Sequence, residues 1–246
     1  MSFSFSAEWL KTKKSLFRTT LYGSPIVFNL LIFGYIIFAN QKVSESNFYF
    51  NYFSILNFLL PFTVSFILAL MNNCEREAGN FKNIFGLNRH YYFLLSQKFI
   101  FSYLVISFVF LFNLLLTIAL LKFTFNVPTT SFNSHFLYGS TFTWLAFMTS
   151  FVLYFFLSII CSFITTLFIG LASSLLTAIL GLTALGNGIW QFFPFTWGSR
   201  VIPMLMNNSS LVGFFYEHTY FSYVLLFCPF ICFFVSLIIS VSLFRK

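Results

Sequence analysis

Charged residues are scarce in this sequence: they make up 7% of the 246 residues, and aspartate is absent. A soluble globular domain carries about 25% charged residues, so the composition argues against an ordinary water-soluble fold. Hydrophobic residues reach 59% and gather in runs of about 20, the length that a helix needs to cross a bilayer. The sequence therefore predicts an all-α polytopic membrane protein.

Two catalytic motifs are also missing. There is no G-x-x-x-x-G-K-[S/T] loop, so the chain does not bind a nucleotide by that route. There is no H-E-x-x-H, and His90, His135 and His218 fall in predicted loops on opposite sides of the membrane, whereas a zinc protease needs its ligands close together. The sequence predicts a protein that is not an enzyme and holds no cofactor or metal of its own.

No acid or base is predicted at mid-depth in the membrane, where it would cost about 2.5–3.5 kcal/mol. This argues against a proton-coupled or ion-coupled carrier. The polar residues at that depth either line a path for an amphipathic molecule or pair the helices. They are Asn29, Asn57, Asn113, Thr117, Ser150, Ser158, Ser173 and Ser174.

The four cysteines show no disulfide framework. Cys228 and Cys232 are four residues apart, so a helix places them on one face. They are either a ligand or redox pair, or small apolar packing residues.

Six membrane spans are predicted. The fourth and fifth are separated only by Cys161 and Ser162, so a single long kinked segment is the alternative, and it would place the termini on opposite sides. The spans cover residues 22–40, 51–71, 99–121, 138–161, 163–185 and 220–244.

The positions of the basic residues predict the orientation. The net charge is +8, but the charges flank the spans and do not predict a nucleic-acid partner. With both termini in the cytoplasm, ten Lys and Arg residues lie inside and three lie outside, as the positive-inside rule requires. The inside set is Lys11, Lys13, Lys14, Arg18, Arg76, Lys82, Arg89, Lys98, Arg245 and Lys246, and the outside set is Lys42, Lys122 and Arg200.

The N-terminal 20 residues predict a helix that lies on the cytoplasmic membrane surface, ahead of a transmembrane domain over residues 21–246. At 100° per residue, Trp9, Leu10, Leu16 and Phe17 share one face. Lys11, Lys14 and Arg18 lie opposite, and Lys13 reaches solvent by its length. The alternative is a basic tail that only fixes orientation.

The most polar stretch is the loop of residues 72–90, NNCEREAGNFKNIFGLNRH, between spans two and three. Wound as a helix, it places Ala78, Phe81 and Phe85 on one side, and Glu75, Gly79, Lys82 and Gly86 on another. Exposed Phe beside charge predicts a docking surface for a cytoplasmic partner. The alternative is an ordinary connecting loop.

The stretches EREAGNFKNIFGLNRHYYFLLSQKF (75–99) and GNGIWQFFPFTWGSRVIP (186–203) resemble the ABC-2-type permeases of lantibiotic-immunity transporters and related exporters of amphipathic peptides. The resemblance implies that the loop 72–90 is a coupling helix on a separate ATPase, which binds ATP and Mg. It implies that the N-terminal helix is the connecting helix. It further implies that the ATPase contacts are Glu75, Glu77, Gly79, Asn80, Phe81 and Phe85.

The outer segment, residues 186–219, differs from the other loops in its Gly, Pro and aromatic content. The resemblance implies short re-entrant or interfacial helices that shape the outer end of a path, with Trp190, Phe193, Trp197 and Arg200 at the gate. The alternative, compatible with the first, is an aromatic belt in the headgroup region.

The function that the resemblance implies is the permease subunit of an ATP-driven exporter of antimicrobial or cytolytic peptides. It would lie in the bacterial cytoplasmic membrane and work with an ATPase and a second permease chain, identical or paralogous. Two alternatives stay open: export of a lipid or polymer precursor, and a non-transporting peptide-sensing or immunity subunit.

Overall fold

The computed structural model describes residues 8–10, 12, 15–38, 45–77, 79, 91–125, 129–207, 224, 228–229, 231–235 and 238. These residues are almost entirely helical and include no strand. Five helices among them are long and apolar enough to cross a membrane: Leu16–Phe38, Asn47–Glu77, Phe93–Phe123, Phe136–Ile160 and Phe163–Gly181. The all-α, multi-pass membrane class is confirmed.

The main helices are longer than the predicted spans, which follow only the apolar part of each one. Helices α2, α3 and α4 have 33, 35 and 32 residues, or roughly 50 Å each, against about 30 Å of hydrocarbon. They therefore tilt or extend beyond the bilayer. The helices are α1 (Leu16–Phe38), α2 (Glu45–Glu77), α3 (Tyr91–Phe125), α4 (Thr129–Ile160), α5 (Phe163–Leu176) and α6 (Trp197–Asn207).

Helices α4 and α5 form an antiparallel hairpin. The Ser162 hydroxyl accepts a hydrogen bond from the Thr165 amide at 3.3 Å and caps the start of α5. The Tyr154 hydroxyl bonds the Ser173 hydroxyl at 2.5 Å, although 19 residues separate them. A continuous helix would hold those residues about 28 Å apart, so the single kinked segment is wrong.

Helix α2 lies at the centre of the bundle, packed against α1, α4, α5 and α6. One buried cluster contains Phe17, Leu68 and Phe151, and a second contains Tyr52 and Phe136. Large apolar side chains on the outer faces of the helices are exposed, as membrane-spanning helices require.

Most of the predicted sixth span, residues 220–244, lies outside the described residues. Its described residues are helical. The Phe233 ring lies 4.5 Å from Phe99 of α3 and 5.9 Å from Phe156 of α4, between ring centroids. The sixth span itself stays a prediction.

The N-terminal region turns just before α1. Residues 8–10 are helical, and the hydroxyls of Thr12 and Ser15 then bond the carbonyls of Trp9 and Thr12 at 2.9 and 2.7 Å. Such local bonds compete with a continuous helix. Helix α1 begins at Leu16, so it includes residues 16–20, which the sequence assigns to the surface helix. A helix lying on the membrane stays a prediction.

Candidate functional site

The last turns of α2 carry a buried ion pair. The Glu75 carboxylate lies 3.7 Å from the Lys98 ammonium of α3, and the side chains are only 9% and 3% exposed. Two opposite charges removed from water must compensate each other, because an uncompensated buried charge is costly. The pair therefore fixes the end of α2 to the start of α3.

Arg76, the next residue, bonds the end of α4. Its Nη2 donates to the carbonyl oxygens of Ile159 at 3.0 Å and Cys161 at 2.6 Å. The last carbonyls of a helix lack partners within the helix, and a cation there also interacts favourably with the helix dipole. Arg76 thus caps α4 at the point where the chain turns into α5.

A further bond leaves the same part of α2. The Asn72 amide donates to the Ser158 hydroxyl of α4 at 2.5 Å. We call Asn72, Glu75 and Arg76 the hub, because these three residues contact α3, α4 and the α4–α5 turn.

The described residues among the predicted ATPase contacts lie in different environments. Glu75 faces the bundle, whereas Glu77 is exposed and accepts a bond from Asn73 at 2.7 Å. Gly79 has φ of 136°, a conformation that favours glycine and commonly follows the end of a helix. Asn80, Phe81 and Phe85 lie outside the described residues. Contact of this set with an ATPase stays a prediction, and the position of Glu75 suits a residue that acts through the bundle.

The sequence missed Arg76, Lys98 and Asn72 as interhelical contacts and counted the two cations only as markers of orientation. Their partners lie 23 to 86 residues away along the chain, and two of them are backbone carbonyls. No sequence motif marks such partners. The spacing of three and four between Asn72, Glu75 and Arg76 was the available signal, because it places them near one helical face.

At the opposite end of the bundle, residues 177–207 fold back on α2 and α4; we call them the folded-back segment. A π-helical turn, Thr177–Gly181, follows α5, and 3₁₀ turns at Ala184–Gly186, Trp190–Phe192 and Pro194–Thr196 lead into α6. A Cβ at Gly198 would lie 1.9 Å from Asn57 Oδ1 of α2. This glycine permits α6 to approach α2 closely.

Trp190 and Trp197 lie inside the protein, at 8% and 2% exposure, packed with Ala146 and Cys228. The Trp197 Nε1 donates to the Gln191 carbonyl at 3.0 Å. Both rings are covered by protein, so they expose little surface to lipid. The aromatic-belt interpretation stays a prediction. Phe193 is half-buried, with its ring 5.5 Å from Phe195 between centroids.

Arg200 caps the end of the π-helical turn. Its Nε and Nη2 donate to the Leu180 carbonyl at 3.1 and 2.8 Å, and Nη2 also donates to the Thr183 carbonyl. Nη1 donates to Asn187 Oδ1 at 3.0 Å. One guanidinium thus satisfies several acceptors of an irregular backbone. An outer-gate role for Trp190, Phe193, Trp197 and Arg200 stays a prediction.

The polar residues within the bundle pair the helices. Asn29 donates to Asn113 at 2.7 Å, Asn113 donates to the Tyr52 hydroxyl at 3.0 Å, and the Thr117 hydroxyl lies 3.1 Å from Tyr52 and 2.8 Å from Asn29 Oδ1. These four buried groups form a ring that joins α1, α2 and α3. For Asn29, Asn113 and Thr117 the pairing alternative is confirmed.

The sulfurs of Cys228 and Cys232 lie 3.8 Å apart and are not joined in a disulfide. Within the part of the chain that the structure describes, no group of three or more His, Cys, Asp or Glu could hold a metal ion. Comparisons with protein-family models, curated proteins and solved structures return no match.

Proposed function

We propose that this chain is the permease subunit of an ATP-driven ABC exporter that removes amphipathic antimicrobial or cytolytic peptides from the membrane or the cell. The observation that carries the proposal is the hub. It lies at the end of α2, before the polar loop of residues 78–90, and its three residues reach α3, α4 and the α4–α5 turn. A displacement of that loop would act on α3, α4 and the α4–α5 turn together.

The proposed complex contains two permease chains and two ATPase chains, and ATP and Mg bind to the ATPase. The chain has six spans with both termini in the cytoplasm, so that the hub and the loop 72–90 face the ATPase. The N-terminal residues form the connecting helix on the same side. The ten-to-three distribution of basic residues supports this orientation.

The nature of the interior supports an amphipathic cargo. A carrier of small polar solutes typically places convergent charges or broken helices at the bilayer midplane. Here the buried mid-depth polar groups are neutral amides and hydroxyls, and several of them pair between helices. A cargo that already partitions into lipid needs few polar contacts, and the folded-back segment would shape its exit.

The test of the ATPase contact is Phe81→Asp, compared with Asn83→Asp as a control of equal charge in the same loop. Phe81 is proposed to enter the docking surface, where an unpaired charge costs several kcal/mol. We expect Phe81→Asp to lose copurification with an ATPase that has a phosphate-binding loop and is encoded beside this gene. Asn83→Asp should retain it.

Full copurification and full ATP-coupled activity of Phe81→Asp would contradict the contact. The cargo is tested separately by deleting the gene and measuring sensitivity to, and secretion of, a panel of cationic and amphipathic peptides. Unchanged sensitivity and secretion would favour export of a lipid or polymer precursor, or a sensing role without transport.

A further inference from the structure

An apolar groove of about 770 Å³ runs between α1 and α3 on the outside of the bundle. Its lining is formed by Leu21 and Tyr22 of α1 and by Leu104, Val105, Phe108 and Val109 of α3, and Trp9 also contributes. Leu104 and Phe108 are 49% and 66% exposed. The groove lies within the membrane-spanning parts of both helices, so its occupant is apolar over most of its length.

One end of the groove carries a cation. Arg18 lies one turn of α1 before Leu21 and Tyr22, and its guanidinium is 4.4 Å from the centre of the Trp9 ring. Its Nε donates to Thr12 at 3.4 Å, and Nη2 donates to the Trp9 carbonyl. A guanidinium has five N–H groups. These two bonds with described residues use two of the five N–H groups, and the guanidinium lies against Trp9, which lines the groove.

The surrounding sequence is strongly basic. Residues 8–18 contain Lys11, Lys13, Lys14 and Arg18 against a single acid, Glu8. Juxtamembrane basic clusters attract anionic lipids at about 1 kcal/mol per residue. Trp9 is also of the residue type that concentrates at the membrane interface. The apolar lining of the groove therefore matches the acyl chain of a phospholipid. The Trp9 ring lies at the level of the glycerol, and the cation lies at the level of the phosphate.

The described part of the C-terminal helix packs elsewhere on α3. Phe233 contacts Phe99, with 4.5 Å between the ring centroids. Phe99 and Phe108 are nine residues apart, which places them on opposite faces of a helix at about 100° per residue. The described C-terminal residues thus contact the face of α3 that points away from the groove.

We infer that the groove between α1 and α3 is a binding site for an anionic phospholipid, with an acyl chain against Leu21, Leu104 and Phe108 and the phosphate at Arg18. The inference does not depend on the transport function. It predicts that the lipid is selected by its headgroup charge and is retained by the depth of the groove.

The test uses the full chain in phosphatidylcholine vesicles that contain spin-labelled phosphatidylglycerol or spin-labelled phosphatidylcholine. We expect the protein to associate with phosphatidylglycerol about fivefold more strongly than with phosphatidylcholine, the effect of one basic residue near an anionic group. Arg18→Gln should remove most of this preference, and Arg18→Lys should retain it. Lys122→Gln, which removes an exposed cation near the other end of α3, should leave it unchanged.

A second pair of variants tests the groove without changing charge. Leu104→Trp fills it and should reduce the number of motionally restricted phosphatidylglycerol molecules. Leu115→Trp is the matched control, because Leu115 is similarly exposed at 64% and shares the same face of α3. It should have no effect, because Leu115 lies eleven residues, or about 16 Å, further along the helix.

Equal association of the two lipids, equal effects of Arg18→Gln and Lys122→Gln, or equal effects of the two Trp variants would overturn the inference. A disulfide between two Leu104→Cys chains in the vesicles would also overturn it, because the occupant would then be a second copy of the protein.

Discussion

The two ends of the helix bundle are held together in different ways. At the hub, the side chains of Glu75 and Arg76 contact Lys98 and the end of α4, which are 23 to 85 residues away in the chain. In the folded-back segment, Arg200 bonds acceptors that are only 13 to 20 residues away. One end joins separate helices, and the other stabilises its own chain segment.

This difference predicts different consequences for motion. A shift of α2 at the hub changes contacts on α3, α4 and the α4–α5 turn at once, so the hub suits the transmission of force from a partner. The folded-back segment is held together by its own bonds and by buried Trp190 and Trp197, so a shift of α2 or α4 would displace it as one unit. The close approach of Gly198 to Asn57 is where the segment meets α2.

The largest effect is expected from Arg200→Ala. The substitution leaves the Leu180 and Thr183 carbonyls and the Asn187 side chain without their donor, and a bond to a charged group is worth about 1.5–3 kcal/mol. We expect a loss of about 5 kcal/mol in the free energy of unfolding, measured by titration with dodecyl sulfate in mixed micelles. Gln191→Ala, an exposed change in the same segment, should cost less than about 0.5 kcal/mol.

A loss below about 1 kcal/mol for Arg200→Ala would mean that this guanidinium does not hold the segment. Arg200→Lys should recover only part of the loss, because an ammonium cannot reproduce the bonds of a planar guanidinium to acceptors in several directions.

The next largest effect is expected at the Glu75–Lys98 pair. Glu75→Gln or Lys98→Met alone leaves a buried charge without its partner and should cost about 3 kcal/mol of unfolding free energy. The double variant should cost less than the sum of the two, which is the signature of direct coupling in a double-mutant cycle. Additive costs would show that the two groups stabilise α2 and α3 independently.

A smaller effect is expected from Arg76→Ala, which removes two bonds to the end of α4 and should cost about 2 kcal/mol. Its specific readout is the rate at which maleimide labels Cys161 in a chain whose other three cysteines are serine. The rate should rise several-fold in Arg76→Ala and less in Arg76→Lys. Arg89→Ala, which removes the same charge from the following loop, should not change it; an equal rise there would exclude a specific cap.

The existence of the five long helices could be predicted from the sequence because apolar runs of about 20 residues have few alternatives to crossing a membrane. Their full lengths could not, because polar residues such as Glu75 and Lys98 continue α2 and α3 beyond the apolar windows that mark a span. The sequence did not distinguish an α4–α5 hairpin from one long kinked segment. The Tyr154–Ser173 hydrogen bond shows that the two helices form a hairpin.

The site was less predictable. From the sequence, Asn29 and Asn113 could either line a path or pair the helices. Only their 2.7 Å hydrogen bond, between residues 84 positions apart in the chain, decides between these two interpretations. Trp190 and Trp197 were expected near lipid headgroups because tryptophan concentrates there. Their burial follows from the fold-back of the chain, for which Gly186 and Gly198 were the available signals, since each allows a close approach that a Cβ would block.

The most direct measurement of the central claim is site-specific photo-crosslinking from both ends of the bundle. A benzophenone amino acid is placed at exposed Glu77, next to the hub, or at exposed Phe192 of the folded-back segment. We expect position 77 to crosslink to an ATP-binding subunit encoded beside this gene and position 192 not to do so. Crosslinking of that subunit from position 192, or its failure from position 77 in an active complex, would contradict coupling at the hub.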